Sequence, residues 1–189
     1  IKGPNPCAKN KYGEIVRWMP ENGDHTSALF NWNLFLVAGN PTVHSDFYAG
    51  SVNITDENMF NSPDGLDFDA AGRMWILTDG KYSNEGGSAG MGNNQMLCAN
   101  LFTGEVRRFA TGPIACEIIG LTSSQDQRSL FVGEQHPGEK INHHISQPVV
   151  TANLALLLWL FNVKTVASSA LNYRYKTKKL FLSLLRKVF

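Results

Sequence analysis

Cysteine is scarce in this sequence, and the last fifty residues contain neither an acidic side chain nor a glycine. Each shortage excludes something. Cys7, Cys98 and Cys116 match no zinc-ligand spacing, and three thiols cannot all pair, so they read as buried and inert. Gly86-Gly87-Ser88-Ala89-Gly90 is not followed by Gly-Lys-Ser/Thr, which excludes a P-loop. There is no Gly-x-Ser-x-Gly element. Asp67 and Asp69 lack the bidentate glutamate that an EF-hand needs farther on. Arg107-Arg108 is too small a basic patch for nucleic acid. No apolar run reaches the ~20 residues that cross a bilayer as a helix. No N-terminal signal is visible, and the opening at Ile1, in Gly/Pro-rich sequence, reads as a cut through a longer protein.

The net charge of +1 hides two compositions. Residues 1–139 hold all 16 acidic residues against 9 basic ones, a net −7, and all 17 glycines. Residues 140–189 hold 8 basic residues and no acid. The tail runs from the mostly apolar Pro148–Val163 through the basic Tyr173–Lys179 to the apolar Leu180–Phe189. Three readings suit it: a frame-shifted or chimeric stretch, a basic amphipathic segment on a membrane surface, or a buried C-terminal helix. If ordered, it is expected to be helical. The division is therefore 1–139 as one partial domain and 140–189 as an atypical tail.

What is present before residue 139 is a series of short β-type runs. They are Tyr12–Trp18, Leu29–Ala38, Gly65–Phe68, Arg73–Leu77, Gln95–Ala99, Val106–Ala110, Ile118–Thr122 and Ser129–Val132, separated by turn-rich segments. A repeat sorts them. Gly65-Leu66, Arg73, Trp75-Ile76 and Asp79 recur 55 residues later as Gly120-Leu121, Arg128, Leu130-Phe131 and Glu134. A second hairpin, Gln95–Ala99 with Val106–Ala110, lies between them. Four antiparallel strands per repeat is the pattern of a propeller blade. The expected fold is all-β: an incomplete β-propeller of about two blades and part of another, which cannot close a ring unaided.

In a propeller, sites form where the innermost strands begin. Here those starts are Ser62-Pro63-Asp64-Gly65-Leu66 and Cys116-Glu117-Ile118-Ile119-Gly120. Asp64 suits a calcium ligand, since hard cations take several oxygen donors; it equally suits a turn aspartate bonded to local backbone. Glu117 lies in an apolar run, where a carboxylate is costly unless paired or metal-bound. It and Asp64 can approach the channel from adjacent blades. Arg17, within Tyr12–Trp18, is either a bidentate clamp on phosphate oxygens or a solvent-facing strand arginine. His136, in Gln135-His136-Pro137-Gly138-Glu139, is a metal ligand or an ordinary loop histidine.

Taken in order, Asn10–Trp18, Gly23-Asp24-His25, Phe35–Gly39, Ser62–Leu66, Trp75–Gly80, Gly92–Met96, Cys116–Gly120 and Gln135–Glu139 resemble the C-terminal part of PhoX-type bacterial alkaline phosphatases, over about residues 4–139. The resemblance implies a six-bladed propeller exported to the periplasm or beyond the cell. It implies hydrolysis of phosphate monoesters at a calcium and iron cluster. It makes Asp64 and Glu117 calcium-ligating carboxylates and Arg17 a phosphate contact. It places the remaining ligands, including an iron-binding cysteine, upstream of this chain, so Cys116 does not take that role. The expectation is a metal-dependent phosphatase fragment, inactive alone. Two other readings stand beside it: a non-catalytic propeller module that binds a partner, and a protein held at a membrane by residues 148–189.

Overall fold

The computed structural model describes residues 9–80 and 84–136, and the backbone of Lys179–Ser183. Nine strands are described: β1 (Glu14–Pro20), β2 (Phe30–Val37), β3 (Pro63–Phe68), β4 (Arg73–Thr78), β5 (Gln95–Asn100), β6 (Val106–Thr111), β7 (Glu117–Ser123), β8 (Ser129–Gln135) and β9 (Lys179–Ser183). Among the described residues there is no α-helix, only single 3-10 turns. All eight strands expected from the sequence form, with ends moved by at most three residues. Every pairing is antiparallel, in three sheets ordered β1-β2, β3-β4-β5-β6 and β7-β8-β9. The middle sheet is one complete four-stranded blade. The flanking sheets are parts of its neighbours, so the chain is all-β and an incomplete propeller.

The blade's central strands explain why neighbours are needed. Successive side chains of a strand point to opposite faces. On β4, Met74 and Ile76 face β1-β2, while Trp75 and Leu77 face β7-β8. On β5, Leu97 and Ala99 take the first side, Met96 and Cys98 the second. Both faces are apolar and both are buried. The first core also takes Tyr12, Ile15, Leu36 and Phe60, and the second takes Phe109, Cys116, Ile118, Leu130 and Val132.

The β3–β4 turn is built by Asp69. Its carboxylate accepts from the Ala71 and Arg73 backbone N–H groups, from Arg73 Nε at 2.6 Å and from Trp75 Nε1 at 3.0 Å. Gly72 supplies the positive φ of 74° that the turn requires. The Arg107-Arg108 pair divides: Arg107 bonds to Glu105, while Arg108 turns inward to Gln95 Oε1 and the Met59 carbonyl. In the tail, Lys179–Ser183 is a strand paired with β8, where a helix was expected. It lies beside β8 as β5 lies beside β4. The rest of the tail, with Pro148–Val163, lies outside the described residues.

Candidate functional site

One end of the blade gathers the chain's polar chemistry. Pro63 at the start of β3 pairs with Thr78 at the end of β4, Gln95 at the start of β5 with Thr111 at the end of β6, and Glu117 with Gln135 across β7 and β8. β7 also touches both β3 and β4. The starts of the two innermost strands, β3 and β7, therefore share an end with the residues that follow β4 and β8.

Asp64 is the residue that the β3–β4 register skips, between Pro63 and Gly65. Such a bulge re-aims a side chain, and Asp64 is exposed. Glu117 opens β7, and Gln135 Nε2 donates to its Oε2 at 2.8 Å. Each carboxylate follows by two residues a non-glycine residue in the left-handed region, Ser62 (φ 50°) and Ala115 (φ 53°). Backbone held in this sparsely populated region concentrates at functional sites.

The structure adds a carboxylate that sequence reading missed. Asp79 directly follows β4 and is exposed, and its N–H donates to the Ser62 carbonyl at 3.0 Å, binding it to the segment that leads into Asp64. Burial pushes the Glu117 pKa above the usual carboxylate range, and the negative charges of Asp79 and Asp64 push it further; His136 pulls it back. Mutual influence of this kind places the three carboxylates and His136 in one electrostatic neighbourhood. The signal for Asp79 lay in the repeat, where its counterpart is Glu134, but Thr78-Asp79-Gly80 reads on its own as turn chemistry.

Arg17 is not brought to this end. Its Nε donates to Asn33 Oδ1 at 3.2 Å, its Nη1 reaches the Leu101 carbonyl at 3.5 Å, and its guanidinium lies 5.4 Å from the centre of the Phe35 ring. Leu101 follows the last residue of β5, and the site lies at the first. Six strand residues set the two apart by on the order of 17 Å. The reason is topological. β1 and β2 pack on the central blade as an outer hairpin, and the alternation of an outer strand resembles that of an inner one. The expected phosphate contact thus finds no support in the placement of Arg17, which ties one hairpin to the next.

The donor set bears on which metals the site could take. Three carboxylates offer hard oxygen donors of the kind calcium takes. They do not complete a site: among the described residues no three His, Cys, Asp or Glu side chains form a group that could hold an ion. Among the described residues iron finds no thiolate. Cys98 and Cys116 are buried in the core, and burial pushes both thiols up to about 12.

Comparison with known proteins bears on the same segment. A family model described as alkaline phosphatase PhoX matches residues 1–138. The chain is similar to a solved structure, Pseudomonas fluorescens PhoX in complex with vanadate, a transition state analogue. The TM-score is 0.72 and the sequence identity 63%, over 74% of this chain and 24% of that one. This chain thus spans about a quarter of that relative. None of the curated proteins matches it.

Proposed function

The chain belongs to the PhoX alkaline phosphatase family, of which it holds a part, and we propose that it supplies one carboxylate wall of a phosphate-monoester hydrolase site whose other ligands come from the rest of a closed ring. The observation that carries this reading is the convergence of Asp64, Asp79 and Glu117 at the shared end of two innermost strands. The vanadate bound to the solved relative supports a phosphoryl-transfer site. Asp64 and Glu117, with Asp79, would each supply an oxygen ligand to calcium, in a site completed by donors from the rest of the ring. When bound, such an ion neutralises phosphate oxygens and orients the attacking oxygen. The chain's own part is to fix the carboxylates: a bulge aims Asp64, the Ser62 carbonyl anchors Asp79, and the Gln135 amide holds one oxygen of Glu117. Iron, if the whole enzyme uses it, takes ligands from elsewhere. The periplasmic or extracellular location implied by the resemblance belongs to this proposal.

With part of the donor set, the isolated chain is expected to be inactive on aryl phosphates. It is expected to bind calcium weakly, at Kd on the order of 10⁻⁴ to 10⁻³ M. Isothermal titration of the full chain with calcium tests this. Binding that disappears in Asp64→Ala/Glu117→Ala supports the reading. A chain that ignores calcium, or binds it unchanged in the double variant, removes it and favours a non-catalytic module.

A further inference from the structure

Asn94 immediately precedes β5 and is buried, with 8% of its surface exposed. Its side chain makes four hydrogen bonds, the full capacity of an amide. Oδ1 accepts from Thr78 Oγ1 at 2.9 Å and from the Gly80 N–H at 2.6 Å. Nδ2 donates to the Gly80 carbonyl at 3.0 Å and to the Cys116 carbonyl at 2.6 Å. Its backbone carbonyl accepts from the Gly112 N–H at 2.8 Å, in the turn that leads to β7.

The partners' positions give the network its meaning. Gly80 follows Asp79, and Cys116 precedes Glu117. One amide therefore grips the backbone beside both carboxylates, across two blades. We propose that Asn94 is a positioning residue that fixes the spacing of Asp79 and Glu117. The inference rests on the reading of those carboxylates as one site. The arrangement requires an amide. Aspartate would lose both donors and set a negative charge against two carbonyl oxygens. Leucine would leave the Gly80 N–H and two carbonyls buried without partners, a costly state. The packing around the clamp is equally committed. A Cβ on Gly80 would overlap the Asn61 side chain, and one on Gly112 would overlap Cys116 Sγ.

A merely structural asparagine offers the control. Asn40 is fully buried at the same end and bonds to the Gly87 and Ala89 carbonyls and to Thr42, but grips neither carboxylate. The test uses the full chain and its Asn94→Ala, Asn94→Asp and Asn40→Ala variants. Amide hydrogen exchange is followed by NMR, and calcium alone is titrated calorimetrically. Should Asn94→Ala fail to fold, Asn94→Asp, which keeps an acceptor toward Thr78 and Gly80, carries the comparison. Loss of the clamp is expected to speed exchange at the Asp79 and Glu117 amides about ten-fold, the change that goes with one hydrogen bond. Leu97 and Cys98, in mid-β5, are expected to stay unchanged. Calcium affinity is expected to fall roughly ten- to hundred-fold in the Asn94 variants and to hold in Asn40→Ala. Exchange that speeds equally at Leu97 and Cys98, or does not speed at Asp79 and Glu117, overturns the clamp. So does an equal loss of calcium affinity in Asn40→Ala. If no protein in the set binds calcium while the localised exchange pattern is present, the clamp stands and the phosphatase-site reading falls.

Discussion

Glu117 and Asp69 are carboxylates with opposite fates. Glu117 is raised by burial first and then by two like charges, so its ionised form is disfavoured in the fold. Between the ordinary carboxylate pKa and the raised one, the folded chain holds more protons than the unfolded chain, and stability falls as pH rises through that window. Glu117→Gln, which keeps a partner for Gln135, is expected to raise the melting temperature at neutral pH and leave it unchanged in acid. The gain should stay under ~1 kcal/mol, since the group is partly exposed and screened. Asp69 behaves inversely. Burial alone would raise it, but bonds from Arg73 and Trp75 outweigh that and hold it below the usual range. Its contribution is complete above the ordinary carboxylate pKa and is lost as pH falls toward the lower folded value. Asp69→Ala leaves the indole N–H of Trp75, a residue 1% exposed, without a partner. The expected loss is about 1–3 kcal/mol at pH 7, read by urea melts.

At the scale of strands, short β-type runs bounded by turn-rich segments made all eight early strands legible, and the 55-residue repeat grouped them into blades. The blade also shows what such a pattern leaves out. β4 is apolar at Met74, Trp75, Ile76 and Leu77 in succession because both faces are covered. An outer strand such as β1 alternates much as an inner one does, so nothing local told Arg17 from a channel residue. Asp64 and Glu117 stood out as candidates because they open innermost strands. Asp79 and Asn94 did not, because their roles depend on contacts with Ser62 and Cys116, far away in sequence. The two-sided core gives its own expectation. Trp75 packs edge-on against Phe109 with ring centres 5.0 Å apart. Trp75→Ala should cost about 3–5 kcal/mol and expose the face that receives β7-β8, measured as lost melting temperature with increased dye binding.

On the whole-molecule scale, one face lacks, among the described residues, the cover that the other two interfaces have. Val16, Trp18 and Pro20 on β1 share a side with Leu34, Trp32 and Phe30 on β2, and Trp18 and Trp32 stand directly opposite each other, 66% and 45% exposed. An apolar sheet face of this kind is where a further blade stacks in a ring. The chain spans about a quarter of its solved relative, so its chemistry is tested most directly inside a complete ring. The decisive measurement is aryl phosphate hydrolysis by that relative with residues 9–136 of this chain in place of the matching stretch. The hybrid is expected to hydrolyse the ester in a chelator-sensitive way. Asp64→Ala/Glu117→Ala in the hybrid is expected to lower kcat/KM by roughly a hundred-fold or more, the scale of losing transition-state charge stabilisation. Full activity in the double variant, or equal turnover by the isolated chain, would contradict the account.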